Sequence, residues 1–246
     1  MKEVRAGMPF LVAVQLTMDK GWHTYWENPG DSGSPTEIHW KLPKGFSASP
    51  IFWPTPERIA LEGGMVSYGY EHQALLLTRI TPPNTLPPSG DYKISAKVSW
   101  VVCSNACTAG SGNVSANFKV SKGMPVADPA WSQPLREAQS ELPRETSAVH
   151  CTVTRSKGDY VLTMVRRNDW GGDAAKAQFF PSDPSLLDHA AKQVVTVKGG
   201  TITLRLKPSG LSGKQPKRLA GIVVGPEHVF WADHATAISI DVPIGH

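Results

Sequence analysis

Cysteine is scarce in this 246-residue chain, at three residues. Three is too few for a disulfide-dense secreted scaffold and is an odd number, so at most one internal bridge forms and one thiol is left over. A chain of this length buries a full core without staples or metals, so size alone does not call for the cysteines. Charge is also sparse: charged residues make up 19% and the formal net charge is only +4. The basic residues are scattered instead of gathered into a stripe, which leaves nucleic acid no electrostatic footprint. No apolar run reaches the roughly 18 residues that span a bilayer. The opening Met1-Lys2-Glu3-Val4-Arg5 lacks the apolar core of a signal peptide. The stretch is expected to be soluble, with no direct insertion into a membrane.

Turn formers are plentiful, with 22 Gly and 21 Pro. That mixture favours many short strands over long helices, and the fold class expected is all-β, two β-sandwich domains with one or two short helices. Phe10, Val12, Val14, Leu16 and Met18 recur at period two, as in a strand with one buried face. Ile38, Trp40 and Leu42 repeat the pattern, and Gln73 to Ile80 and Tyr92 to Val102 read as further strands. Val114, Ala116, Phe118 and Val120 alternate again after a glycine-rich gap. Trp22 to Pro35, with its Asn-Pro-Gly-Asp-Ser-Gly cluster, reads as an ordered surface loop pinned by Trp22, Tyr25 and Trp26. Val66 to Glu71 reads as another loop.

Periodicity stops around Lys122 to Trp131, where Gly, Pro and Asp accumulate as at a domain boundary. Ser132 suits a helix cap with Pro134 in the first turn, and Leu135, Ala138 and Leu142 would share a face. The division expected is 1–122 as a first domain, 123–145 as a linker with a short helix, and 146–246 as a second β-rich domain. Strands in that half fall at Val149 to Thr154, Tyr160 to Arg166, Val194 to Lys198, Thr201 to Lys207, Arg218 to Val224 and Ala237 to Val242. Asp183-Pro184 before Ser185-Leu186-Leu187 resembles the cap and first position of a second short helix.

Cys103 and Cys107 flank Ser104-Asn105-Ala106. Four extended steps would part their Cα atoms by about 13 Å, whereas a disulfide tolerates ~4.4–6.8 Å. If they pair, the chain must turn between them, and Asn105 tolerates the left-handed backbone that short hairpin loops often need. So small a loop removes little entropy from the unfolded chain, so the bridge would stabilise the fold weakly. Exposure and tight geometry are properties of labile, exchanging disulfides. Spacing alone leaves open a local structural bridge or two free thiols. Zinc wants four ligands, and no second Cys or His pair stands at metal-binding spacing; His23, His39, His72 and His150 are isolated. Cys151, on the same strand face as Val149 and Val153, reads as a buried core thiol.

The residues also form a longer pattern: Gly21-Trp22-His23-Thr24-Tyr25-Trp26-Glu27-Asn28-Pro29-Gly30-Asp31-Ser32-Gly33, then Trp53-Pro54-Thr55-Pro56-Glu57-Arg58, Tyr68-Gly69-Tyr70-Glu71, and Val98-Ser99-Trp100-Val101-Val102-Cys103 with Cys107. This string resembles the N-terminal periplasmic domain of the DsbD family of transmembrane disulfide reductases, in particular the copper-sensitivity-suppressor branch often called ScsB. The likeness covers roughly residues 7–120, and Phe179-Phe180-Pro181 to Asp188-His189-Ala190 is similar to that branch's second extracytoplasmic domain.

The resemblance implies an immunoglobulin-like first domain whose Cys103–Cys107 pair takes electrons from a membrane-embedded domain and passes them to periplasmic thioredoxin-fold proteins. It makes Cys107 the sulfur that joins the partner and Cys103 the one that resolves the intermediate. Tyr68, Tyr70, Glu71 and Trp100 become candidates for a cap or docking rim. No cofactor or metal is implied. The location implied is the periplasm, as part of an inner-membrane protein, and the chain is expected to be a monomer. Relatives commonly carry a Pro-Glu pair after the second cysteine where this chain has Thr108-Ala109-Gly110, so the partner-facing rim is expected to differ. Two competing readings are a binding module in which exposed Trp22, Trp26 and Trp53 stack on sugars or clasp a protein, and a copper-holding accessory domain, for which no ligand cluster stands in the sequence.

Overall fold

A computed structural model describes residues 2–87, 90–167, 170, 173–210, 216–225 and 235–245. In chain order the first strands are β1 (Glu3–Val4), β2 (Phe10–Thr17), β3 (His23–Gly30), β4 (Glu37–Lys41), β5 (Ser47–Ala48), β6 (Glu57–Ala60), β7 (Val66–Glu71), β8 (Gln73–Thr81), β9 (Asp91–Cys103) and β10 (Cys107–Val120). The helix α1 (Pro129–Ser140) follows, and then β11 (His150–Ser156), β12 (Asp159–Val165), β13 (Gln178–Pro181), β14 (Val194–Lys198), β15 (Thr201–Leu206), β16 (Arg218–Val224) and β17 (Ala237–Gly245). The fold is all-β, as the turn-rich composition implies.

Two compact units divide the chain. One comprises residues 1–26, 34–54 and 70–140, the other 27–33, 55–69 and 141–246. In the first, β10 pairs antiparallel with β9, β4 pairs along β9 from Ser95 to Ser99, and β3 meets β9 at His23↔Cys103. A smaller sheet runs β2-β8-β5. The alternating faces read from the sequence supply the core of this immunoglobulin-like sandwich, in which Phe10, Ile80, Ile94, Phe118 and Val120 cluster with Val4, and Val14 packs with Ala96 and Val98.

The second unit holds the seven-stranded sheet β13-β16-β17-β11-β12-β15-β14 around Leu162, Met164, Phe179, Ile202, Leu204, Leu219 and Val223. Segments from the first half of the chain are built into it. Asn28, fully buried, donates from Nδ2 to the Pro181 carbonyl at 2.7 Å. The Tyr68 hydroxyl lies 3.1 Å from His189 Nδ1, and His189 Nε2 lies 2.8 Å from the Pro184 carbonyl. The carbonyl can only accept, so Nε2 carries the proton and Nδ1 accepts from the tyrosine. Gly30 (φ 83°) is required here, because a Cβ would stand 2.4 Å from the Val66 carbonyl oxygen.

Several local expectations need correction. The loop expected over Trp22 to Pro35 is strand for its first part, and the loop expected over Val66 to Glu71 is the strand β7. Both carry buried residues on both faces, His23 to Trp26 and Val66 to Tyr70, so neither shows the period-two pattern of a half-exposed strand. The glycine-rich gap before Val114 is also strand, since β10 runs unbroken from Cys107. The helix begins at Pro129, with Asp128 Oδ1 accepting from the Ala130 N–H, so Ser132 is not its cap and Pro134 lies inside it. Asp183-Pro184 heads a turn instead of a helix, because Asp183 Oδ1 takes both the N–H and the hydroxyl of Ser185 at 2.8 Å.

Candidate functional site

Register alone brings the two cysteines together. β9 and β10 pair without interruption from Lys119↔Asp91 to Cys107↔Cys103, which are directly opposite residues at the closed end of the hairpin. The turn closes with Ser104 N–H donating to the Ala106 carbonyl at 3.1 Å, which makes the next pair outward a non-hydrogen-bonded one. Such pairs hold their side chains closest, with Cα atoms near ~4.5 Å. Here the Cα–Cα distance is 4.1 Å and the sulfurs are bonded. Asn105 is absent from the positive-φ residues, so the turn does not use the left-handed backbone expected of it.

The two sulfurs are not equivalent. Cys107 is exposed, while Cys103 is 3% exposed. The Tyr25 hydroxyl donates to Cys103 Sγ at 2.7 Å and lies 3.9 Å from Cys107 Sγ. Tyr25 is held by β3, whose Thr24 hydroxyl ties to the Val101 carbonyl at 3.0 Å and whose His23 sits opposite Cys103. The His23 ring meets the Tyr25 ring edge-on at 5.3 Å. His23 is buried with no hydrogen-bond partner for Nε2 among the described residues. Burial holds its pKa below the ordinary histidine value, and the Glu71 carboxylate partly offsets this.

Of the rim residues anticipated from the sequence, Trp100 lies on β9 opposite Gly110, where a Cβ would come 2.7 Å from the indole. With Pro35, Glu37, Val101, Ala109 and Gly110, Trp100 lines a cleft of about 410 Å³. Tyr70 is buried, its hydroxyl donating to the Pro54 carbonyl at 2.8 Å, and Glu71 is exposed at the end of β7. Tyr68 packs in the second unit against Phe180 and His189. Cys151 is half-buried rather than buried, and desolvation pushes its thiol up to about 11, so it is essentially all thiol at neutral pH.

Tyr25 and His23 were not recognised in the sequence as site residues. Both stand within the family pattern Gly21 to Gly33, but that pattern does not say that they lie beside the cysteines. Of the tryptophans imagined as an exposed binding platform, Trp26 is 1% exposed, and Trp22 and Trp53 are half-buried. Among the described residues, no three His, Cys, Asp or Glu side chains gather as metal ligands. No helix among them is long and apolar enough to cross a membrane.

A sandwich domain with a disulfide at a hairpin tip, one cysteine exposed and the other buried, fits a thiol–disulfide exchange module. Residues 2–119, just under half of the chain, match the family described as thiol:disulfide interchange protein DsbD, N-terminal, so this part of the chain is a DsbD-like N-terminal domain. Among solved structures, the N-terminal periplasmic domain of ScsB from Proteus mirabilis aligns over 99% of this chain and 91% of its own length. Its TM-score is 0.68 at 15% sequence identity, which establishes a shared fold. The YadV chaperone (TM-score 0.25, 13% identity, 95% of this chain and 91% of its own) and the periplasmic chaperone SfaE (0.26, 9%, 98% and 94%) align far more loosely. No curated protein matches the sequence.

Proposed function

We propose that the chain is a periplasmic electron-transfer module of an inner-membrane disulfide reductase, passing two electrons at a time through Cys103 and Cys107. The observation that carries this is the asymmetry of the pair, an exposed Cys107 bonded to a buried Cys103 whose sulfur lies beside a hydroxyl donor. An upstream dithiol, placed by family likeness in a membrane-embedded domain, attacks Cys107 Sγ. A new S–S bond forms there, the Cys103–Cys107 bond breaks, and Cys103 leaves as a thiolate facing the Tyr25 O–H. The second upstream thiol then resolves the mixed disulfide, leaving the pair reduced with two protons taken up.

In the second half-cycle the Cys107 thiolate attacks the disulfide of a thioredoxin-fold partner, and Cys103 displaces that partner as a dithiol. Two electrons and two protons have then moved. Glu71 and Trp100 form the rim such a partner meets, and no cofactor takes part.

The test uses an oxidised thioredoxin-fold protein and two variants of the reduced chain. Cys103→Ser should accumulate a mixed disulfide through Cys107, whereas Cys107→Ser should form none while keeping the thermal unfolding of the parent. Normal turnover by Cys107→Ser would end the proposal.

A further inference from the structure

His23 holds a polar atom that nothing satisfies while the disulfide is closed. The residue is 4% exposed, and its Nε2 has no hydrogen-bond partner among the described residues. Leaving a buried polar group unpaired is costly, and such groups are rare in native structures. His23 is the residue of β3 directly opposite Cys103 of β9, and directly opposite residues hold their Cβ atoms about 4.5–5.5 Å apart on one face of the sheet. Tyr25, two residues along β3 and so on that same face, reaches Cys103 Sγ with its hydroxyl. The orphaned imidazole and the buried cysteine are therefore neighbours.

A disulfide sulfur carries no proton, so in the oxidised chain Cys103 has none to offer Nε2. Reduction gives Cys103 an S–H, which is a donor, so the missing partner comes into being when the bond opens. The second half-cycle needs the same contact. Cys103 must attack as a thiolate to release a partner held on Cys107, yet at 3% exposed it is shut off from bases in bulk water. The Tyr25 hydroxyl points its proton at the sulfur, so it steadies the charge without taking the thiol's proton away. The Thr24 hydroxyl is committed to the Val101 carbonyl, Glu71 is exposed at the end of β7, and Cys107 across the hairpin is bonded to the partner in this step. His23 is a buried base kept neutral, because burial pulls its pKa below the ordinary histidine value and the Glu71 carboxylate only partly offsets this.

We propose that His23 is the base of the resolving step: Nε2 takes the proton of the Cys103 thiol as that sulfur attacks the disulfide between Cys107 and a partner. The electron pair of the S–H bond becomes the Cys103–Cys107 bond, the Cys107–partner bond breaks, and the partner sulfur leaves with that bond's pair as a thiolate. The imidazolium then gives its proton to the departing thiolate or to water, which returns His23 to its neutral state. The pair ends oxidised and the partner reduced. The inference rests on the proposed function, in which Cys107 joins the partner and Cys103 resolves.

The probe is oxidised glutathione in excess over the reduced chain, with acid quenching and mass spectrometry to follow two steps: formation of the glutathione adduct on Cys107, and its loss as Cys103 closes the disulfide. Cys103→Ser, which stops at the adduct, calibrates the first step. His23→Gln keeps a polar group and His23→Phe keeps a ring beside Tyr25. Both should form the adduct within about twofold of the parent's rate but close it about a hundredfold more slowly at pH 7, the lower reach of general-base catalysis. In the parent, closure should slow toward acid with an imidazole titration below the ordinary histidine value. Both variants should lack that limb and instead quicken steadily with pH through the thiol range. Closure as fast in the variants as in the parent would overturn the inference, as would slower closure with the parent's acid limb intact, the mark of a merely structural role. Should neither variant fold, a parent profile without the acid limb would overturn it alone. Cys103→Ser forming no adduct would sink the redox reading, and the part given to His23 with it.

Discussion

At the scale of single residues, the position of Tyr25 decides, in the proposed exchange, which way the disulfide opens. Its hydroxyl stands 2.7 Å from Cys103 Sγ and 3.9 Å from Cys107 Sγ, so negative charge is stabilised better on Cys103, the leaving sulfur when Cys107 is attacked. Hydrogen bonds to charged groups contribute about 1.5–3 kcal/mol, and each ~1.4 kcal/mol is a factor of ten in rate. Tyr25→Phe keeps the ring and deletes only this donor. Reduction by dithiothreitol should slow by about tenfold or more at pH 7, with thermal stability of the oxidised chain changed little. A stopped-flow rate equal to the parent's would remove Tyr25 from the mechanism. None of this was visible in the sequence, because Tyr25 and Cys103 are 78 residues apart and only the fold puts β3 beside the end of β9.

Among the elements, the hairpin of β9 and β10 keeps one register from Asp91 to Cys107, and two glycines allow that. Trp100 lies across Gly110 and Gly112, and a Cβ at Gly110 would come within 2.7 Å of the indole. Gly110→Val must push Trp100 off the sheet, and overpacking of this kind costs about 1–3 kcal/mol. Urea unfolding of the oxidised protein should report that loss together with a changed tryptophan emission, and an unchanged midpoint would show that the indole moves freely. The same glycines explain what the sequence concealed. β2, β8 and β9 were legible because one face of each is buried and the other is less so, whereas β10 lacks apolar alternation until Val114, and β3 and β7 are covered on both faces. The cysteine pair was legible from the family pattern, spacing alone leaving it open, but the unequal exposure of its two members comes from register and from β3.

For the whole molecule, the family match ends at residue 119, but the compact units do not follow that boundary. Residues 27–33 and 55–69 belong with 141–246, and their contacts there are specific: Asn28 to the Pro181 carbonyl, Arg58 to the His189 carbonyl at 3.2 Å, and Tyr68 to His189 Nδ1. At about 1 kcal/mol net for each hydrogen bond, plus roughly 2 kcal/mol for burying the Tyr68 ring, these segments contribute on the order of 5 kcal/mol. A typical domain has only about 5–15 kcal/mol in total. Residues 123–246 produced alone should therefore fail to unfold cooperatively in urea, and supplying residues 1–122 as a separate chain should restore a transition. A sharp, independent transition in the 123–246 piece would show that the second unit carries its own stability and that the first-half segments merely rest on it.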